Sequence, residues 1–223
     1  MLYCGLDDPA YFRDMLYLFY IIQCSISFYM LKINKYILII FFFTLPLFAG
    51  EMPDDFLKSS VNEISQFISE NKDMLENDER YLKAKVNELI IPKFNMTLMA
   101  KIVLGKKNWI SASNNQRNDF VGAFRDLMVR TYMKSITVFD GDKIEFAPYT
   151  PGKRHDIAKV KSHYVTSDGN IAVDYRLKLD SDGKWRVYDV VFDGVSLLKN
   201  YRVDFREHIQ KDGLDSLINS LKN

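Results

Sequence analysis

From residue 50 onward, hydrophobic and polar positions recur with a helical period first and with a strand period later. Apolar residues spaced three or four apart predict four helical segments, over residues 57–70, 78–91, 94–104 and 116–138. Gly105 is expected to end the third segment, and Ser113-Asn114-Asn115 is expected to cap the fourth. The first half of this region is therefore predicted to be helical.

After residue 141 the period changes to two, which is typical of β-strands. Four strands are predicted, over residues 144–147, 157–166, 171–179 and 185–192. The third alternates most regularly, with Val173, Tyr175 and Leu177 on one face. Asp182-Gly183 predicts a tight turn before the fourth strand. Closing helices are predicted over residues 195–210 and 214–221.

Helices, then an antiparallel meander, then helices predict an α+β fold, in which a sheet curls round part of a helical layer. The apolar residues of segment 94–104, of the long helix and of the third strand exceed one stripe per element. Two interpretations follow. The surplus fills a large core, which is the commoner outcome in close-packed interiors, or it lines a cavity for an apolar ligand.

Charge and composition narrow the function classes. The 223 residues include 30 Lys plus Arg and 29 Asp plus Glu, a net charge of +1. A general nucleic-acid binder needs a basic excess to displace counterions from phosphates, so we expect no nucleic-acid partner. Both cysteines, Cys4 and Cys24, precede residue 50, so disulfides and thiol chemistry are not expected in the remainder.

The first 49 residues have the composition of a targeting region. Lys32 and Lys35 precede an apolar run over 36–48 and the ending Leu47-Phe48-Ala49, which predicts a signal peptide over residues 30–49. An uncleaved membrane anchor is the alternative. Residues 1–29 contain a second apolar stretch, and we interpret them as an extension from a mis-called start codon, with an extra membrane-inserted segment as the alternative.

Candidate catalytic residues are few. Asp174 and Asp189 fall on neighbouring predicted strands, where a buried carboxylate could act as a base. His163 lies on the second strand and could reach the concave side of the sheet. No histidine has a partner at metal-ligand spacing, and no phosphate-binding loop or nucleophile elbow occurs. A small-molecule enzyme using Asp174 or His163 is therefore kept only as the alternative function.

One segment carries a resemblance to a known family. Residues 185–197 read W-x-V-Y-D-V-x-x-x-G-V-S-L and are followed by Asn200-Tyr201-Arg202 and a phenylalanine. This pattern resembles the signature of the MlaC and toluene-tolerance proteins. The segments 103–132 and 209–221 are similar to the same family, so the resemblance covers residues 54–222 in order.

The resemblance implies a nuclear-transport-factor-2-like (NTF2-like) fold, in which a curved four-stranded antiparallel sheet and a helical layer enclose a hydrophobic lipid cavity. It implies that residues 50–223 form a periplasmic phospholipid-binding carrier domain, without enzymatic activity or a cofactor. Its partners would be phospholipid, an inner-membrane ABC transporter complex with MCE proteins, and an outer-membrane lipoprotein. The lipid would move between the inner and outer membranes, which maintains the lipid asymmetry of the outer membrane.

Within this family interpretation, Tyr188 and Asp189 are expected to be structural, with Asp189 fixing the corner between strand and helix near Gly194 and Ser196. Helical phase and strand alternation select the residues expected to contact lipid. They are Val103, Leu127, Tyr132, Val173, Tyr175, Leu177 and Val190.

Overall fold

A computed structural model describes residues 50–138, 143–167 and 169–222. The predicted signal peptide over residues 30–49 and the predicted extension over residues 1–29 lie outside the described residues. Residues 50–223 form one compact unit.

Seven α-helices lie in the described ranges. They are α1 (Pro53–Glu70), α2 (Lys72–Asn77), α3 (Glu79–Lys85), α4 (Met96–Ser111), α5 (Asn114–Ile136), α6 (Leu197–Asp212) and α7 (Leu214–Lys222). The predicted cap of α5 is confirmed, because the Ser113 hydroxyl accepts from the Gln116 amide while the Gln116 side chain accepts from the Ser113 amide. The predicted helix over 78–91 is shorter than expected, since α3 ends at Lys85.

After α3 the helical winding changes twice. A π turn spans Val86–Ile90, and a 3₁₀ turn spans Ile91–Lys93. A π turn widens the helix and re-aims the side chains that follow it. The chain then pairs with the sheet, because the Asn95 amide donates to the Val187 carbonyl at 2.8 Å. Helix α4 therefore begins at a position fixed by the sheet.

Gly105 interrupts α4 with a kink at the position where the sequence predicted its end, but the helix resumes after it and runs to Ser111. Its φ of 75° and ψ of 159° are open to glycine and strained for other residues. A β-carbon at this position would lie 3.2 Å from the Arg202 guanidinium of α6. The backbone angle therefore requires a glycine here, and a β-carbon would also displace the Arg202 guanidinium slightly.

The strands form one antiparallel meander in the order β1-β2-β3-β4-β5. Their bounds are β1 Ile144–Phe146, β2 Ile157–Thr166, β3 Gly169–Leu179, β4 Trp185–Phe192 and β5 Val195–Ser196. The sequence predicted four strands, and the fifth is the correction. Asp193 and Gly194 both have positive φ, of 46° and 80°, as a two-residue hairpin turn requires. The chain therefore pairs back onto β4 before α6 begins.

A β-bulge interrupts the pairing of β3 with β4. Arg176 pairs with Asp189 and Leu177 pairs with Val187, so Tyr188 is an extra residue on β4. An extra residue reverses the alternation of the faces beyond it. Trp185 and Val187 before the bulge consequently share a buried cluster with Val190 after it.

Buried side chains form three clusters. The largest joins α4, α5, α6 and α7, and Phe120 and Phe124 lie at its centre with Phe205 packed edge-on against both rings. A second cluster covers one face of the sheet and includes Leu57 of α1. The third joins α1, α2, α3 and α5. In the part of the chain that is described, no helix is long and apolar enough to cross a membrane.

Candidate ligand-binding cavity

An open apolar cavity of about 320 Å³ lies where the three clusters meet. Its walls come from the π and 3₁₀ turns, α4, α5, β4 and the first residue of α6. The lining residues are Val86, Ile90, Ile91, Phe94, Met96, Met99, Met128, Val129, Tyr132, Met133, Ser135, Ile136, Val190, Phe192 and Leu197. We call this space the main cavity.

The walls of the main cavity carry no charged side chain among the residues named. Ser135 and the Tyr132 hydroxyl are its polar groups, and Tyr132 Oη lies 3.4 Å from the Tyr201 hydroxyl. Burial, together with this hydrogen bond, raises the pKa of Tyr132 above its ordinary value, so the phenol stays neutral. Four methionines supply flexible side chains that adapt to an apolar ligand of irregular shape.

Asn95 positions the α4 side of the main cavity. Its side-chain oxygen accepts from the Leu98 amide at 2.8 Å and thereby caps α4. Its side-chain nitrogen donates to Asp180 at 2.7 Å, beyond the end of β3. Met96 and Met99 follow in the first turn of α4, so these bonds fix where their side chains enter the cavity.

The bulge at Tyr188 positions the sheet side. Beyond it, Val190 and Phe192 both line the main cavity. Unbroken alternation from Trp185 would instead have placed Asp189 and Val191 on that face. The bulge is therefore the feature that keeps a carboxylate out of the cavity wall.

Asp189 positions the beginning of α6. The carboxylate is almost fully buried and accepts from Arg176 at 3.0 Å, from the Ser196 hydroxyl at 2.7 Å and from the Leu198 amide at 3.2 Å. Ser196 in turn accepts from the Lys199 amide at 3.1 Å. The expected structural role of Asp189 agrees with these contacts, which fix α6 one residue after Ser196, where Leu197 enters the cavity wall.

A second apolar space adjoins the main cavity on the sheet side, and we call it the sheet-side groove. It has a volume of about 300 Å³ and shares Ser135 and Phe192 with the main cavity. Its other lining residues are Val138, Ile144, Tyr164, Ile171, Val173 and Tyr175.

Of the seven residues expected to contact a ligand, four line open space and three lie in packed clusters. Tyr132 and Val190 line the main cavity, and Val173 and Tyr175 line the sheet-side groove. Val103 and Leu177 are fully buried within packed clusters, and Leu127 packs against the helical cluster.

The residues of the alternative enzymatic hypothesis lie outside these spaces. Asp174 forms an ion pair with Lys159 at 2.6 Å, on the face of β3 that carries Arg176. His163 is exposed on β2, where exposed and buried residues alternate and Ser162 is buried instead. The alternation of β2 therefore keeps the His163 side chain away from the concave side of the sheet, which the sequence suggested it could reach. Within the described ranges, no group of three or more His, Cys, Asp or Glu could hold a metal ion.

Sequence reasoning missed most of the lining residues. The sequence pattern assigns Ile90 and Ile91 to the end of a helix, and Met96 and Met99 to a dense apolar segment. It assigns Phe192 to the fourth strand and predicts no ligand contact for it. An available signal was Asp193-Gly194 directly after it, since this pair predicts the hairpin that ends β4 at Phe192.

An α+β architecture that surrounds an open, uncharged cavity with a meander and helices defines a class of protein that binds apolar ligands. A family profile described as MlaC protein matches residues 58–223 of this chain. The chain belongs to the MlaC family.

Two relatives and one solved structure are similar along most of the chain. The intermembrane phospholipid transport system binding protein MlaC of Haemophilus influenzae is 23% identical over 193 residues, which cover 85% of this chain and 90% of that protein. The toluene tolerance protein ttg2D of Pseudomonas putida is 22% identical over 176 residues, or 78% and 80% of the two chains. The phospholipid-binding protein from Ralstonia solanacearum, solved in complex with a phospholipid, matches with a TM-score of 0.67 and 21% identity over 77% of this chain and 95% of that chain.

Proposed function

We propose that this chain is a phospholipid-binding carrier that holds the acyl chains of its lipid in the main cavity. The observation that carries the proposal is the uncharged wall of a cavity of about 320 Å³. Membership of the MlaC family and the similarity to phospholipid-binding proteins support it. We further propose that the protein acts without catalysis, because Asp174 and His163 lie away from the cavity.

The physical task explains the chemistry of the wall. Each methylene exposed to water costs about 0.8 kcal/mol, so two bare acyl chains cost on the order of 20 kcal/mol or more. A carrier has to replace the bilayer with an equally apolar interior and still release the lipid. Adaptable methionine walls and two hydroxyl groups, on Tyr132 and Ser135, suit both requirements.

We propose that the lipid moves between the inner and outer membranes through the periplasm and that this transport maintains outer-membrane lipid asymmetry. Its protein partners would be an inner-membrane ABC transporter complex with MCE proteins and an outer-membrane lipoprotein. Residues 30–49 would act as a signal peptide that is cleaved after Ala49 or one residue later, and synthesis would begin at Met30. Amino-terminal sequencing of protein from the periplasmic fraction tests this cleavage, and recovery only in membranes with residues 36–48 retained would contradict it.

We propose that four of the seven residues selected from the sequence contact lipid directly and that the other three support the cavity walls. Tyr132, Val190, Val173 and Tyr175 would touch lipid directly, since they line open space. The remaining three, Val103, Leu127 and Leu177, would support the walls from behind.

The test of the function is a lipid measurement. Protein purified without detergent should release about one diacyl phospholipid per chain on denaturing extraction, measured by mass spectrometry. The Asp174→Asn variant should carry the same amount, because lipid transfer needs no proton movement. A well-folded protein that is free of lipid and takes up none from vesicles would refute the carrier function.

A further inference from the structure

A cationic groove lies between α4 and α6, outside the main cavity. It has a volume of about 440 Å³, and its charged side chains are Lys101 and Lys106 of α4 and Arg202 of α6. Trp109 and Ile110, near the end of α4, line the same space. We call it the α4–α6 groove, and none of its named lining residues belongs to the main cavity.

The three cations of the α4–α6 groove are not neutralised within the described ranges. Lys101, Lys106 and Arg202 are exposed, and none of them forms an ion pair or a hydrogen bond there. Elsewhere on the surface a cation meets a carboxylate, as Arg186 meets Asp182 at 2.7 Å. Helix α4 has three lysines and no acidic residue, although the net charge of the chain is only +1. The groove is therefore a local excess of positive charge.

The kink in α4 gives Arg202 its place in the groove. A β-carbon at Gly105 would lie 3.2 Å from a guanidinium nitrogen of Arg202, so the guanidinium packs over the backbone of the kink. Asp204 and Glu207, the acidic residues nearest to Arg202 along α6, lie about 160° and about 140° away from it around the helix. The carboxylates closest in the chain therefore face away from the groove.

An aromatic and an aliphatic side chain lie beside these cations. Ile110 is 63% exposed, which is unusual for a large aliphatic residue. Trp109 is partly buried, one face of its ring lies 5.7 Å from the Arg117 guanidinium, and its indole N–H has no acceptor within the described ranges. Tryptophan next to lysine and arginine is typical of the boundary between water and lipid headgroups, where its apolar body and polar tip are both accommodated.

The charge of the groove selects an anionic occupant, and the types of side chain favour a bilayer surface over an acidic protein. Lysines are depleted in protein–protein interfaces, whereas they are frequent where proteins contact anionic lipid headgroups. A layer of lipid phosphates offers negative charge to all three cations at once. The same layer accepts an exposed isoleucine and an indole N–H without a shaped partner surface.

We propose that the α4–α6 groove attaches this protein to the surface of a bilayer that contains anionic phospholipid. The three cations bind phosphates, and Trp109 and Ile110 enter the headgroup layer. This inference goes beyond the proposed function, because it concerns a surface outside the main cavity and requires no lipid inside it. Met96 and Met99 of the same helix line the main cavity, so the attachment places a cavity-forming helix at the bilayer.

Co-sedimentation with vesicles tests the proposal. Residues 50–223 form the compact unit that contains all three buried clusters, and their use keeps the apolar residues before position 50 out of the measurement. The vesicles consist of phosphatidylcholine alone or of phosphatidylcholine mixed with phosphatidylglycerol. We expect binding to the anionic vesicles only, and we expect it to weaken as the salt concentration is raised.

Paired glutamine substitutions separate the groove from the overall charge. Lys101→Gln/Lys106→Gln removes two groove cations. Lys153→Gln/Lys161→Gln is the matched control, because both lysines are exposed, lie outside the groove and form no ion pair within the described ranges. One cation near an anionic surface contributes about fivefold in affinity, so the groove variant should bind about 25-fold more weakly. The control should bind nearly as tightly as the wild type, and both melting temperatures should be unchanged.

Tryptophan fluorescence gives an independent measurement. The chain has two tryptophans, and Trp185 is buried with its indole N–H bonded to the Glu51 carbonyl. A blue shift of the emission on addition of anionic vesicles should therefore come from Trp109, and Trp109→Phe should abolish it. Ile110→Ser should weaken vesicle binding although it leaves the net charge unchanged.

Three results overturn the inference. Equal weakening of the two double variants would mean that overall charge, and not the groove, attracts the vesicles. Wild-type affinity of a folded Lys101→Gln/Lys106→Gln variant would exclude the groove directly. A wild type that binds no anionic vesicles would reject the bilayer and leave an acidic protein surface as the occupant. Phospholipid per chain, measured by mass spectrometry, should be unchanged in the groove variant, so failure of the attachment and failure of the carrier function are distinguishable.

Discussion

Replacing Asp189 with alanine is expected to destabilise the protein far more than any change to an exposed carboxylate of the sheet. The carboxylate accepts three hydrogen bonds, from Arg176, from the Ser196 hydroxyl and from the Leu198 amide. It is almost fully buried, with 2% of its surface exposed. Alanine removes all three acceptor contacts and leaves the amide and the hydroxyl without their partner at the beginning of α6.

The size of the effect follows from what each donor can do after the change. The Leu198 amide is buried, and an unsatisfied buried donor costs about 1–3 kcal/mol. Loss of the second capping group at the helix start adds about 1 kcal/mol. The Arg176 side chain is 44% exposed, so water replaces most of its contact. Together these losses predict a decrease of about 2–4 kcal/mol in the free energy of unfolding.

Asp174 is the matched control, because it lies on the same sheet and is also paired with a cation. Its partner Lys159 is half exposed, and the pair lies at the surface of the sheet. An exposed ion pair contributes about 0–1 kcal/mol, so Asp174→Ala should lower the free energy of unfolding by no more than that. The Asp189→Asn variant should be intermediate, since an amide oxygen still accepts one bond.

Urea unfolding followed by circular dichroism measures the three variants against the wild type. The slope of the unfolding free energy against urea should be unchanged, so the midpoint shift reports stability. Equal midpoints for Asp189→Ala and Asp174→Ala would refute the reasoning, because the buried contacts would then contribute no more than a surface pair. A fall in bound lipid for Asp189→Ala alone would further indicate that α6 shifts at Leu197.

Two further predictions concern positions away from the cavity. Gly105→Ala should lower the free energy of unfolding by about 1–3 kcal/mol, because the backbone angles at this position suit only glycine and the added β-carbon would approach Arg202. Gly152→Ala is the control, because the space around Gly152 is open. Equal urea midpoints for the two variants would contradict the prediction. The hydrogen bond from Arg186 lowers the pKa of Asp182 from 3.8 to about 2, so its stabilisation is present above pH 3.8 and is lost as the pH falls toward 2. The urea midpoint of Asp182→Asn should therefore fall less across this interval than that of the wild type, and parallel curves would contradict it.

The sequence predicted the elements whose signals are local. Ser113 and Gln116 form the capping box within four residues, and alternation over residues 171–179 marks β3 without help from the rest of the chain. The π turn after Lys85 carried no such signal, since its residues continue a helical pattern and its geometry is set by contact with α5. Local patterns predict where an element begins, and tertiary packing decides how it ends.

The bulge shows why the cavity wall was harder to predict. Val190, Val191 and Phe192 are all apolar, so alternation does not say which of them faces the helices. The inserted Tyr188 decides this, and its position follows from the pairing of Arg176 with Asp189 across two strands. A register change of this kind depends on the pairing of two strands, so the alternation along one strand does not predict it.

A similar ambiguity separates a core residue from a cavity residue. Leu177 and Val173 lie four residues apart on the same face of β3, and both are buried. Leu177 packs into the sheet cluster, whereas Val173 also lines open space beside Phe192. Both environments select apolar side chains, so composition and alternation identify the face but not the point along the strand where packing ends and the cavity begins.

The signature segment of β4 and α6 acts on the cavity mainly from outside it. Trp185 donates to the Glu51 carbonyl at 2.8 Å, and Asp189 and Ser196 bond each other and the first turn of α6. None of these three side chains is among those that line the main cavity, whereas Val190 and Leu197, placed next to them in the chain, are. The hydrogen bonds of these polar residues thus fix the backbone of β4 and the start of α6. The position of the cavity wall therefore depends on the backbone more than on the exact shape of the apolar side chains. A motif of this kind identifies the frame that holds a ligand, and the ligand contacts have to be read from the packing around it.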